Sequence, residues 1–191
     1  MFIGRQSELA QLNALYEQSG FQMPVIYGRR RVGKTRLIQE FCQNKKHIFY
    51  VAIEQTDKEA LRLFSEALVS QSGDQQSLFI EHFSSWEAAF KYLGFLAQKD
   101  RLILVIDEYP YLASGNSSIA SILQKAIDQV FLQSQLFLIL CGSSMSFMEN
   151  QVLDYKSPLY GRRTAQFKIL PLDYWDSSQF LIQRVLSFGI F

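Results

Sequence analysis

Three apolar runs in this chain end in charged or hydroxyl side chains, the arrangement in which α/β proteins place their chemistry. The first leads into Gly28-Arg29-Arg30-Arg31-Val32-Gly33-Lys34-Thr35, which satisfies G-x-x-x-x-G-K-[ST] at every fixed position. Glycines at 28 and 33 let the backbone turn and approach phosphate oxygens closely. The loop N–H groups and the positive end of a helix starting there then surround the anion. Lys34 is placed to reach the β- and γ-phosphates and Thr35 to ligate Mg²⁺, with Arg29, Arg30, Arg31, Val32 and Arg36 completing the phosphate-binding segment. A strand-to-helix turn that binds nothing could use the same glycines. The motif's position between an apolar strand and a helical pattern argues for phosphate. Its arginines fit solvent or bound phosphate better than a nucleic-acid patch.

The second run, LILVIDEYPYL, sets Asp107 and Glu108 at the end of a continuous apolar stretch. Asp107 is placed to hold Mg²⁺, through water, and Glu108 to act as base for an attacking water. An acidic pair alone reads as a solvated turn; a complete phosphate loop upstream decides against that. A glutamate directly after the aspartate also favours a hydrolase over a small-molecule kinase, which recruits a substrate hydroxyl instead.

The third run, LFLILCGSSMS, ends in Ser143 and Ser144, of which Ser143 is the first choice for contacting a γ-phosphate or the attacking water. The alternative is a helix N-cap. GSSMS nearly spells a nucleophile elbow, but Ser146 replaces its last glycine. His47 and His82 both precede it, against the Ser…Asp…His order. Those histidines and Cys42 and Cys141 show no metal-ligand spacing; His47 fits a strand start and His82 a loop or helix start. In SPLYGRRT, Arg162 and Arg163 either reach a γ-phosphate in their own or a neighbouring subunit, or form a solvated pair.

Apolar runs alternating with helical patterns position these groups, which is the signature of a parallel sheet flanked by helices. Strands are expected at 24–27, 47–53, 102–107, 136–141 and 165–170. Helices are expected at 4–18, 33–41, 57–71, 85–98, 118–133 and 144–150, and from Tyr174 almost to Phe191. The polar stretch SQSGDQQS joins two of them.

A chain of 191 residues with 48% hydrophobic and 19% charged residues is one globular domain. Lys+Arg of 19 against Asp+Glu of 18 gives a net charge of +1, which removes the main electrostatic argument for a nucleic-acid or acidic-membrane surface. Two separated cysteines make a disulfide framework improbable and suggest a reducing interior. No run approaches the ~20 apolar residues of a membrane helix, and the start lacks a secretory signal, so a cytoplasmic domain is expected. The apolar ending LSFGIF suggests a fragment of a longer protein.

Together the motifs FIGRQSEL, YGRRRVGKT, LVIDEYPYL, LCGSSMSFME and SPLYGRRT resemble the prokaryotic, largely archaeal-type ATPase family. That family lies in the AAA+/STAND branch of the P-loop NTPases, whose Walker A and Walker B motifs correspond to the first two runs. The resemblance spans residues 2 to about 175. It implies an αβα sandwich with a five-stranded parallel sheet in the order 5-1-4-3-2, with ATP and Mg²⁺ as ligands. It also implies that Phe2, Ile3, Gly4 and Arg5 lie near the adenine. Family members continue into a helical lid and often a further domain, which this chain stops short of.

The leading functional expectation is an ATPase domain in which Glu108 activates water, coupling nucleotide state to conformational change or assembly. The alternatives are a non-hydrolysing nucleotide switch acting on a missing domain or another subunit, and the ATPase half of a DNA-associated protein. A small-molecule kinase ranks last.

Overall fold

The computed structural model describes residues 3–73, 82–172 and 174. Five strands, β1 (Pro24–Tyr27), β2 (His47–Val51), β3 (Leu102–Asp107), β4 (Leu136–Gly142) and β5 (Ala165–Lys168), form one parallel sheet. Their order is β2-β3-β4-β1-β5, the expected order read from the other edge. Every residue of β3 and β4 is buried, because central strands of a parallel sheet are covered on both faces. The edge strands β2 and β5 instead mix buried with accessible positions.

Strand alternation sorts the core into two layers. Leu102, Leu104 and Ile106 of β3 and Leu136, Leu138 and Leu140 of β4 pack on one face. That face is covered by α3 (Asp57–Ser72), α4 (Trp86–Leu96), α5 (Tyr109–Gly115) and α6 (Ile119–Gln129). Ile103, Val105, Phe137, Ile139 and Cys141 face the other way, against α1 (Gln6–Tyr16) and α2 (Lys34–Cys42). The same parity carries Asp107, the last residue of β3, toward the start of α2. The decisive carboxylate is aimed by the sheet itself.

Local signals start the helices where the sequence places them. Thr56 accepts a hydrogen bond from the Glu59 N–H at 3.4 Å and Ser85 one from the Ala88 N–H at 3.2 Å, caps of a kind worth ~1 kcal/mol. Leu37, Ile38, Phe41 and Cys42 form the buried stripe of α2. Phe64 of α3 joins α4 through Trp86 and Phe90, with ring centroids 5.1 and 5.8 Å away.

Several boundaries differ from expectation. The first helix covers Gln6–Tyr16 rather than 4–18. The helix expected over 118–133 breaks at Val130 (φ −129°, ψ −52°) and resumes as a 3₁₀ turn over Phe131–Gln133, which buries Phe131. The expected 144–150 helix is α7 (Met145–Phe147) followed by a wider π turn, Met148–Leu153. β5 stops at Lys168, and the Leu170 carbonyl beyond it accepts from Arg5. One helix, α5, was not expected at all. Residues 74–77 of the polar connection, residues 78–81, and the helix expected from Tyr174 onward, apart from Tyr174 itself, lie outside the described residues. His47 opens β2, His82 precedes α4, and Cys42 and Cys141 are both buried and free. No helix among the described residues is long and apolar enough to cross a membrane.

Candidate active site

The phosphate loop leaves the C-terminal end of β1, and its two glycines answer different constraints. A Cβ at Gly28 would lie 2.2 Å from the Ile169 carbonyl oxygen. That close approach is fixed by the Ile169 N–H donating to the Tyr27 carbonyl at 2.7 Å. Gly33 has φ 92° and caps α2 in the left-handed region, which L side chains resist. Lys34 is therefore the first residue of α2, 5% exposed, and its Nζ donates to the carbonyls of Gly28 at 3.0 Å and Arg29 at 2.9 Å. The ammonium group lies inside the curve of the loop.

Across from it, the Thr35 hydroxyl donates to Asp107 Oδ2 at 2.8 Å, and Asp107 Oδ1 accepts from the Glu108 N–H at 2.9 Å. Asp107 is 3% exposed. Its neighbour on β4, Cys141, has a thiol pushed well above its ordinary pKa, first by burial and then by the Asp107 carboxylate. A hydroxyl and a carboxylate in contact form a hard oxygen donor pair that fits Mg²⁺, which takes few protein oxygens and completes its shell with water and phosphate. Among the described residues no group of three or more His, Cys, Asp or Glu could hold a metal without such help.

Glu108 adopts φ 54°, ψ 43°, a left-handed conformation that costs a non-glycine residue ~1–2 kcal/mol. Its carboxylate holds this conformation from the side. Oε2 accepts from the Ser143 N–H at 3.1 Å and from the Ser143 hydroxyl at 2.9 Å. Ser144 occupies the N-cap position of α7 without a side-chain cap bond. A pocket of about 620 Å³ opens between the loop and this acidic edge, lined by Arg30, Arg31, Lys34 and Arg36 with Thr35, Glu108 and Tyr111. Four cations thus concentrate at one sheet edge of a nearly neutral chain.

The opening segment lies beside the loop. Ile3 is buried, and the Arg5 guanidinium donates to Glu8 Oε1 at 2.9 Å, to the Val32 carbonyl at 3.2 Å, and to the Leu170 carbonyl. Arg5 therefore joins three segments, and a cavity of about 340 Å³ lies along Gly4, Arg5 and Pro171. Phe2 is outside the described residues.

Arg162 and Arg163 are not brought to this pocket. They precede β5, where the Thr164 N–H donates to the Met23 carbonyl at the start of β1. The phosphate loop follows the far end of β1, roughly 13 Å away at the usual strand rise, beyond an arginine's reach. Arg162 instead makes a two-pronged ion pair with Asp128, at 2.9 and 2.6 Å, which holds that carboxyl below its ordinary pKa. Arg163 donates to the Leu153 carbonyl at 3.1 Å. A γ-phosphate contact by Arg162 within its own chain is thereby corrected: parallel β5 must begin at the edge opposite the loop.

Sequence reasoning missed Tyr111 and its helix. α5 is only seven residues long, too short to show periodicity. Pro110 near its start was the available signal. Asp128 was also missed, because nothing local marks a carboxylate whose partner lies on a distant loop.

A glycine-rich loop between β1 and α2, a buried aspartate ending β3 and an order of β2-β3-β4-β1-β5 define a P-loop α/β fold of the ATPase class. The chain belongs to the family of ATPase domains found predominantly in Archaea, whose match covers residues 2–185. It is 37% identical over 186 residues to an uncharacterized protein of Methanocaldococcus jannaschii, covering 97% of this chain and 39% of that protein. A 46-residue stretch is 46% identical to an uncharacterized ATP-binding protein of the same organism, covering 24% of this chain and 78% of that protein. Among solved structures, a Walker-type ATPase of Pyrococcus abyssi superposes with a TM-score of 0.71 at 22% identity, covering all of this chain and 60% of the other. Cdc6p of Pyrobaculum aerophilum superposes at 0.65 with 16% identity, over 96% of this chain and 49% of the other. The likeness to these structures is one of fold.

Proposed function

We propose that this domain binds ATP with Mg²⁺ and hydrolyses it, using the change of nucleotide state to drive a conformational change or assembly. The observation that carries this reading is the grip of Ser143 on Glu108 at the edge of a pocket lined also by Lys34 and by Thr35, whose hydroxyl is bonded to Asp107. A pocket built only to hold nucleotide has no need of a carboxylate kept in a strained conformation.

In the proposed reaction the N–H groups before α2 and the Lys34 ammonium bind the β- and γ-phosphates. Thr35 and Asp107 would hold Mg²⁺, which supplies charge neutralisation on the phosphate oxygens. Glu108 orients a water and accepts its proton. The water oxygen bonds to the γ-phosphorus as the bond to the β–γ bridging oxygen breaks, giving ADP and inorganic phosphate. Ser143 keeps the carboxylate aimed. Arg162 is directed away from its own pocket, so any phosphate it contacts belongs to a neighbouring subunit. The chain spans 39% of the M. jannaschii relative's length.

The test is Glu108→Gln. The carboxamide oxygen still accepts from Ser143, but the base is gone. ATP binding should persist while turnover falls by roughly 10²–10⁴. Unchanged turnover would remove Glu108 from the mechanism. No turnover by the wild-type protein, with ATP bound, would favour a non-hydrolysing switch.

A further inference from the structure

We infer that Arg30 is a ligand of the terminal phosphate, held in place by Tyr111, so that this chain carries within its own pocket the cation that Arg162 cannot supply there. The inference rests on the proposed nucleotide site and assigns one of its loop arginines a separate task.

Arg30 Nη2 donates to the Tyr111 hydroxyl at 2.6 Å, joining the phosphate loop to α5 across the pocket. Tyr111 is tied to the acidic edge, because its N–H donates to the Glu108 carbonyl at 3.0 Å. The guanidinium is thus held on the Glu108 side of the loop, while the Lys34 ammonium lies on the inner side against Gly28 and Arg29. A phosphate seated before α2 and beside Glu108 is flanked by both cations. In the nucleotide only the terminal phosphate can occupy that position, since Glu108 must face the phosphorus that water attacks.

Arg5 pairs with Glu8 and Arg36 with Glu40, whereas among the described residues Arg29, Arg30 and Arg31 have no acidic partner; the bond to Tyr111 is what sets Arg30 apart from Arg29 and Arg31. Among the described residues the Arg30 side chain bonds to a neutral phenol alone, which orients a guanidinium without cancelling its charge. The remaining N–H groups of the fork are available to phosphate oxygens, the geometry for which a guanidinium is suited. An arginine so placed stabilises charge that grows on the γ-phosphoryl oxygens during transfer. Tyr111 is a positioning residue in this scheme and Arg30 the contact.

The distinguishing test is the preference for ATP over ADP, measured by calorimetric titration with Mg²⁺ on the full chain and its Arg30→Ala, Arg30→Lys, Tyr111→Phe and Lys34→Ala variants. Arg30→Ala should weaken ATP binding roughly ten- to a hundredfold and leave ADP within about twofold. Tyr111→Phe should lower the preference in the same sense by a smaller factor, and Arg30→Lys should recover part of it. Both residues are at the pocket surface, and an unchanged melting transition accompanies the expected result. If Arg30→Ala weakens ATP and ADP alike, or neither, while Lys34→Ala abolishes both, the assignment of Arg30 is overturned and the site stands. A wild-type protein that binds neither nucleotide overturns the site and the assignment together.

Discussion

Replacing Ser143 with alanine tests how Glu108 is kept ready. The left-handed conformation of Glu108 costs ~1–2 kcal/mol. Against it stand two hydrogen bonds to Oε2, from the Ser143 hydroxyl at 2.9 Å and the Ser143 N–H at 3.1 Å. A hydrogen bond to an ionised group contributes ~1.5–3 kcal/mol. Ser143→Ala removes the hydroxyl alone, so the remaining N–H bond and the strain nearly balance. Glu108 then divides its time between the aimed conformation and others. A base aimed only about half of the time should lower kcat roughly two- to threefold. Ser143 makes no hydrogen bond to the phosphate loop, so ATP affinity should shift by less than about threefold. Ser143→Thr, which restores a hydroxyl, should recover most of the rate. The assay pairs steady-state phosphate release with equilibrium ATP binding on the same preparations. A Ser143→Ala enzyme with wild-type kcat, or one whose loss lies wholly in ATP affinity, refutes the claim that this contact aims the base.

Other substitutions probe separate links. Gly28→Ala forces a Cβ against the Ile169 carbonyl oxygen at 2.2 Å and should cost ~1–3 kcal/mol in chemical denaturation, with phosphate binding impaired. Equal stability would mean that β5's exit gives way freely. The Asp128–Arg162 pair should contribute its full stability above the ordinary carboxylate pKa of ~3.9, because the folded value is depressed. As pH falls through that depressed value the contribution is lost. Solvent exposure keeps it below ~1 kcal/mol, so Asp128→Asn should match wild type in denaturation near pH 2 and be slightly less stable at pH 7. Arg162→Ala should leave ATP affinity unchanged. If it lowers turnover, the wild-type rate per chain should rise with protein concentration, which phosphate release across a dilution series will show.

The sheet was legible because its strands announce themselves: LILVID and LFLILC are apolar throughout, and only a strand buried on both faces needs that. The phosphate loop and acidic edge were legible because their residue types are tied to backbone constraints, a close approach at Gly28 and positive φ at Gly33. Ser143 was legible as a polar residue at a strand end, but its partner was not. That contact joins the ends of two neighbouring strands, which only the sheet brings together. Arg162 shows the opposite failure. Arginines in a loop near the end of a phosphate-binding fold invite a catalytic role, and only strand direction reveals which edge they occupy. Arg5 was placed beside the nucleotide by resemblance, whereas its bonds to the Val32 and Leu170 carbonyls depend on where β5 stops.

Calorimetric titration with ATP, with and without Mg²⁺ and against Lys34→Ala, tests the central claim most directly. The account predicts saturable one-to-one binding that Mg²⁺ strengthens and that the loss of the Lys34 ammonium abolishes. A folded wild-type chain that takes up no ATP, or one that binds equally well without Lys34, would contradict it.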